Sequence, residues 1–203
     1  MSTARLSQLR SVTTALHHHL EQSFFPEFAT HRRIHPEEYQ FFLQVMHAFY
    51  TSLYLQSSNF TSASFHLPIE DHVNALHKEI KQFHIPHQQE SYRCPECKDE
   101  ADLLGISYVL EGSRLGGAVI RKMIRKQAWY HTDLDFFYLQ GSSETLGAGW
   151  RNFLEVLENT TLTAEQEIRL QMAAINTFLC LEHLMNHLRK SAMVPVPVPN
   201  KAS

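Results

Sequence analysis

The chain has 203 residues, with 18 Lys or Arg against 21 Asp or Glu, for a formal net charge of −3 with His neutral. That length fits one compact domain, and 43% apolar with 11% aromatic residues is enough for a substantial core. The charge balance gives no support for nucleic acid or an acidic membrane as partner, and the lack of like-charge blocks argues against global disorder.

No apolar run reaches the ~18 residues that cross a bilayer. The opening stretch, Met1 to Leu6, lacks the long apolar segment of a signal peptide, so a cytoplasmic protein is expected. Three cysteines fit a reducing compartment and cannot all pair within one chain.

Glycine is scarce, at seven residues, and apolar residues recur at spacings of three and four. This is helix periodicity without sustained alternation, and it predicts an all-α, single-domain fold. A first helix runs from Ser2 or Thr3 to about Ser23, with Leu6, Leu9, Leu16 and Leu20 as its stripe. Pro36 opens a second, with Glu37 and Glu38 in its first turn, that carries Tyr39, Phe42, Leu43, Met46, Phe49, Leu53 and Tyr54. Residues 57–68 read as a loop, and a third helix spans Pro68 to Phe83. Residues 84–99 form an irregular connector. A long helix then covers Glu100 to Lys126, interrupted by glycines. Ser142 or Ser143 caps a helix through Leu157. Thr163-Ala164-Glu165-Gln166 is a capping box opening the last helix, to about Arg189. The Pro/Val run from Val194 to Pro199 cannot continue a helix. The expected organisation is a helical domain over residues 1–190 and an extended tail over 191–203.

Two segments carry chemistry. In the first, His17 lies on a helical row with Leu6, Arg10, Thr13, Leu20 and Phe24. It reads either as a hydrogen-bonded histidine at the edge of the core or as a ligand for a metal cofactor that also bears anionic groups for Arg10. The second runs from Tyr108 to Ile120 and contains Gly112, Gly116 and Gly117. Each interior glycine costs a helix roughly 0.5–1 kcal/mol relative to Ala, so three within six residues need a reason. Gly112 and Gly116, four apart, strip one helix face. Either another helix packs closely there, or something flat and large approaches the backbone. Without a preceding strand or a Gly-x-Gly spacing, a phosphate loop is disfavoured.

Taken together, an imidazole on one helix and a side-chain-free face on another would sandwich a haem. The sequence resembles the biliverdin-forming haem (heme) oxygenases, especially their bacterial branch, over about residues 5–190. The resemblance rests on Thr13-Thr14-Ala15-Leu16-His17 with Leu20-Glu21, on the Glu-Gly-Ser-x-Leu-Gly pattern within Tyr108 to Gly117, and on Gly141, Thr145, Trp150 and Phe153 in a third block.

The resemblance implies a helical bundle holding haem between a proximal N-terminal helix and a kinked, Gly-rich distal helix. It makes His17 the iron ligand and puts Gly112, Ser113 and Gly116 at the reacting face. Arg10 and Tyr108 would meet propionates, Thr13 and Gly117 would adjoin the haem, and Arg151 would be a second basic contact at its edge. Animal members carry Asp where this chain has Ser113, so the groups that order distal water differ here. The implied reaction bends bound O2 toward the porphyrin rim, takes a proton from ordered water, attacks a meso carbon and releases biliverdin, CO and Fe2+. A neutral imidazole ligand, unlike a thiolate, does not drive O–O cleavage. Haem is both substrate and cofactor. No motif binds a flavin or nicotinamide, so electrons would come from a ferredoxin, a flavodoxin or an NADPH-dependent reductase. Biliverdin could pass to a phytochrome-like protein, or the reaction could serve iron release. Rival readings are a non-catalytic haem-binding or haem-sensing protein on the same fold, and a helical interaction module with no cofactor.

Other features read more plainly. Cys94 and Cys97, with His84 and His87, would offer four zinc ligands, but their order matches no common zinc module and a loop with two free thiols is the expectation. Cys180 reads as a buried thiol. His31, His35, His47, His66, His72, His77 and His131 read as surface or connector residues.

Overall fold

The computed structural model describes residues 4–56, 67–85, 92, 95–140 and 143–192. Among them are seven α-helices and no strand, so the helical periodicity is realised throughout. α1 (Ala4–Phe24) buries Leu6, Leu9, Thr13, Leu20 and Phe24 along one face. α2 (Phe28–His31) is a single turn, too short for a periodic pattern to reveal. It stops where Arg32 adopts a left-handed conformation, φ 51°, and donates its backbone N–H to Phe28 O at 3.1 Å.

α3 (Pro36–Tyr54) begins as expected, with Pro36 in its first turn and the His35 backbone N–H donating to the Glu38 carboxylate at 2.8 Å. α4 (Ile69–Gln82) packs on α3. α5 (Glu100–Ile124) is capped by Asp99, whose Oδ1 accepts from the Ala101 and Asp102 backbone N–H groups at 3.0 and 3.1 Å. Contrary to the expected interruption, helix runs unbroken through Gly112, Gly116 and Gly117. Three glycines weaken helix propensity, but neighbours on the packed side of α5 hold it in place. α6 (Ser143–Asn159) and α7 (Ala164–Ala192) follow. The capping box at the start of α7 is formed: Thr163 N–H donates to Gln166 Oε1 at 2.9 Å, and Gln166 N–H to Thr163 Oγ1 at 3.3 Å. α7 extends through Ala192, past the expected helix end at about Arg189, and the Pro/Val run lies outside the described residues.

α5 is the central helix, lying between α6 and α7, while α1 and α3 both rest on α7. Its length and hydropathy would by themselves suit a bilayer, but half of that apolar window is buried within the bundle, so a core position explains it. The tightest packing is with α7. A Cβ on Gly105 would sit 2.2 Å from Leu170 O, 2.8 Å from Ala173 Cβ and 3.0 Å from Ala174 N. Only glycine permits that backbone approach. An ion pair fixes the same interface from its end: Arg169 on α7 bonds Asp99 at 2.8 Å and Asp102 at 2.6 Å.

One continuous apolar core, including the fully buried Tyr39, Phe49, Tyr50 and Phe153, links the helices. Each such side chain contributes ~1.5–3 kcal/mol through burial. The buried Glu79 ties the 136–139 segment to it by accepting from Tyr39 Oη and from the Tyr138 backbone N–H at 2.8 Å. Burial raises the Glu79 carboxyl pKa, an effect these hydrogen bonds only partly offset.

Three side readings change. His47 is buried on α3, not at the surface, and His72 is partly buried against Tyr50. Period alone cannot find them because histidine occurs on both helix faces. Cys180 is disulfide-bonded rather than a free thiol, and its partner lies outside the described residues. Cys97 is free, and burial pushes its thiol up to about 11. Cys94 and His87 fall outside the described residues.

Candidate haem site

A cavity of about 290 Å³ opens between α1 and α5. Its floor on one side is α1, which contributes Arg10, His17 and Glu21. Facing them across the space is α5, with Tyr108, Gly112, Ser113 and Gly116. The glycine face is open: a Cβ on Gly116 would meet nothing within 4 Å, and one on Gly112 would meet only Trp150 Cζ3 at 4.0 Å. These glycines therefore do not serve close helix packing, as Gly105 does. They leave a flat, apolar wall.

His17 projects from the opposite wall with its side chain 55% exposed. This is more open than the partly buried edge expected from the sequence, because the ring faces cavity and not core. Phe178 of α7 braces it edge-on at 6.0 Å between centroids. His17 Nδ1 lies 3.6 Å from Glu21 Oε2, one helical turn on, which leaves Nε2 for a ligand in the cavity. His18 Nδ1 lies at the same distance from that oxygen, so His17, His18 and Glu21 also form an exposed cluster on the surface of α1. The cavity beside His17 is what separates it chemically from its neighbour.

The rest of the wall is apolar and aromatic, including Phe24, Phe25, Phe28, Phe42 and Met46. Arg10 stands at its edge as an exposed cation. Tyr108 reaches toward the same end, with its hydroxyl 3.2 Å from Thr13 Oγ1, and Thr13 in turn donates to Leu9 O at 2.7 Å. A planar, largely apolar group with a metal centre and anionic substituents fits this donor set: a nitrogen ligand on one side, bare backbone on the other and a cation with a hydroxyl at one end.

The heme oxygenase family model matches residues 4–187. The chain belongs to the heme oxygenase family. A heme oxygenase of Xanthomonas campestris pv. campestris (strain 8004) is 42% identical over 71 residues, 34% of this chain and 41% of that protein. The similarity thus spans about two-fifths of that relative's length. The crystal structure of the NO- and CO-bound heme oxygenase of Neisseria meningitidis superposes with a TM-score of 0.69 at 22% identity, covering 97% of this chain and 96% of that one. The fold is that of a heme oxygenase.

Within this heme oxygenase fold, Arg10, His17, Tyr108, Gly112, Ser113 and Gly116 come together on one cavity, and Thr13 joins them through Tyr108. Gly117 and Arg151 do not. Gly117 is buried on the other side of α5, where an added Cβ would stand 3.0 Å from Leu139 Cδ2. One residue along a helix turns the side chain by about 100°, enough to move it from the open face to the packed one. Arg151 is exposed on α6, with its guanidinium 3.3 Å from a Cβ built on Gly147 and away from the cavity. Gly141 and the Thr145 side chain lie outside what is described, whereas Trp150 covers the Gly112 end and Phe153 is core.

Ser113 Oγ donates back to Leu110 O at 2.7 Å. Beside it the Arg114 guanidinium bonds both oxygens of the buried Glu111 at 2.9 Å. Sequence reasoning missed Phe178 and Leu181 of α7 and the rings of Phe25 and Phe28. The α1 stripe pointed to Phe24, but nothing local tells a ring lining a cavity from a ring filling a core.

Proposed function

We propose that the protein binds haem in the α1–α5 cavity through His17 and cleaves it, with O2 and external reducing equivalents, to biliverdin, CO and Fe2+. The observation that carries this reading is the bare Gly112–Gly116 face directly across an apolar cavity from His17. A haem-degrading enzyme needs iron held from one side and little steric bulk on the other. Haem supplies its own iron for O2 chemistry, and this chain's residues bind, orient and exclude.

His17 would ligate through Nε2, with Glu21 near Nδ1 fixing the tautomer and ring orientation. Arg10 and Tyr108 would take the propionates at the open end, so that the ring enters in one orientation. The aromatic wall would keep bulk water from the haem, and the bare Gly112–Gly116 face would let its plane lie close to the α5 backbone. With no flavin or nicotinamide motif read in the sequence, electrons would arrive from a ferredoxin, a flavodoxin or an NADPH-dependent reductase. The setting would be cytoplasmic, the product serving either bilin supply, including hand-off to a phytochrome-like protein, or iron release.

The test is an absorption time course. One equivalent of hemin is added, followed by ascorbate or a ferredoxin reducing system in air. The expected result is loss of the Soret band with growth of broad red biliverdin absorption. His17→Ala should change the resting haem spectrum, and added imidazole should restore it. A stable Soret band under reduction in air would instead favour a haem carrier or sensor. The Ser113 hydroxyl, turned back onto its own helix, is the feature that favours that second reading.

A further inference from the structure

α1 carries three consecutive histidines in three different surroundings. His19 Nε2 lies 3.1 Å from Glu182 Oε1 and is paired across to α7. His17 lines the haem cavity and His18 is exposed, yet each holds its Nδ1 3.6 Å from the same atom, Glu21 Oε2. One donor nitrogen from each of these two histidines and one oxygen of Glu21 lie within 4.8 Å of one another. The two imidazole planes are inclined at 76° with centroids 6.1 Å apart, so the rings stand edge to face and do not stack.

Neither 3.6 Å separation is a hydrogen bond, which closes to about 2.7–3.2 Å. Both are near the spacing that ligands adopt around an ion. At bond lengths of about 2.1 Å, neighbouring ligand atoms stand about 3.0 Å apart in octahedral geometry and about 3.4 Å apart in tetrahedral geometry. All three side chains are more than half exposed and can close the remaining gap by rotation. Two imidazoles and one carboxylate, with the other positions open to water, are the donor set of non-haem ferrous sites.

We propose that His17, His18 and Glu21 form a surface site for a divalent transition-metal ion of the ferrous type, and that this ion and haem compete for His17. For its natural occupant the inference rests on the haem-cleaving reading above, which releases Fe2+ next to His17. The competition follows from the lone pairs of one ring. A neutral imidazole has one bare nitrogen and one N–H. An ion on Nδ1 leaves the proton on Nε2, the nitrogen assigned to haem above, and that nitrogen then has no lone pair to give. With the proton on Nδ1 beside Glu21, Nε2 is free. No electron moves: the ion exchanges bound water for three ligands, and each imidazole keeps its proton on Nε2. Haem cleavage and the surrounding solution are the two sources of such an ion, and the same ligands serve both.

The experiment uses the full chain without haem and Co2+ as the probe, because its visible bands report ligation by imidazole and carboxylate. The wild type should bind one Co2+ that His18→Ala binds at least about tenfold more weakly, since even outer-shell partners are worth roughly 10–100-fold in metal affinity. His19→Ala removes a histidine of the same run from outside the cluster and should bind as the wild type does. Fe2+, added without air, should show the same order of variants at lower affinity. Saturating Co2+ should raise the hemin dissociation constant of the wild type about tenfold, and hemin should weaken Co2+ binding by the same factor. In His18→Ala that coupling should be lost. Equal Co2+ affinity in wild type and His18→Ala, or hemin affinity indifferent to Co2+, overturns the proposal. A coloured ferrous chelator then separates the sources. In a single turnover, the Fe2+ signal should trail the loss of the Soret band in the wild type and keep pace with it in His18→Ala. Absence of that lag overturns product iron as the occupant and assigns the site to ions from solution. Protein that binds Co2+ as expected but leaves haem intact under reduction in air overturns the haem-cleaving reading and not the metal site.

Discussion

Gly105 and Gly116 occupy the same helix, eleven residues apart, and have opposite meanings. At Gly105 an added Cβ collides with the Leu170 carbonyl of α7; at Gly116 it enters empty space. One glycine exists so that two helices can touch, the other so that nothing does. The first belongs to stability and the second to the site, although both look alike in the sequence and both weaken the helix by the same intrinsic amount.

The largest effect should come from closing the wrong face. Gly105→Ala gains up to ~1 kcal/mol of helix propensity but must push α7 off α5, and overpacking against backbone costs ~3 kcal/mol or more. Urea unfolding of the haem-free protein should show a lower midpoint, or no cooperative transition at all. A midpoint at or above wild type would mean that α5 and α7 do not approach as described.

The polar back of α5 adds a contrast that depends on pH. Burial first, and then the Arg114 charge, push His72 down to about 4 from its ordinary 6.5. The unfolded chain therefore takes up this proton between pH 6.5 and 4 while the folded chain does not. Stability falls as pH drops through that window and flattens below it, by at most about 3 kcal/mol from this group. Glu79 works the other way. Its raised pKa means that the folded protein binds the proton first, so its contribution grows on acidification. Chemical denaturation from pH 7 to 4 should show a smaller loss in His72→Phe than in wild type. Equal slopes would remove His72 from the buried cluster.

How much of this could be read from the sequence depended on whether a signal was local. The α3 start at Pro36 and the α7 capping box are set by side chains within one turn, and both are in place. The row joining Arg10, Thr13 and His17 and the Gly112/Gly116 face are also local, being helical spacings of three or four, and they converge on one cavity. What failed was everything decided by a neighbouring helix. Gly117 differs from Gly116 only in which element it faces. His47 and His72 look like any polar residues on an amphipathic helix until α3, α4 and the 136–139 segment close around them. Phe178 on α7 is 161 positions from the histidine it braces.

A smaller effect, with the opposite sign for stability, should follow at the open face. Gly116→Ala meets no neighbour, so it should stabilise the haem-free protein by up to ~1 kcal/mol. The same methyl group stands where the haem face would lie, so hemin titration should give weaker binding, and Gly116→Leu should block ring opening. Unimpaired turnover in the leucine variant would move the haem off this face.

The smallest effect tests the edge of the cavity, where stability and binding separate most cleanly. Tyr108→Phe removes one hydroxyl, whose partner Thr13 keeps its own bond to Leu9 O. No buried donor is stranded, so stability should change by less than ~1 kcal/mol. If that hydroxyl instead turns to a propionate when haem enters, the variant should bind hemin several-fold more weakly at unchanged thermal midpoint, with a further loss in Tyr108→Phe/Arg10→Ala that is less than additive, because both residues hold the same end of the ring. Haem affinity identical to wild type in Tyr108→Phe would confine this tyrosine to its structural bond with Thr13, and would leave Arg10 as the single polar anchor on the α1 side of the opening.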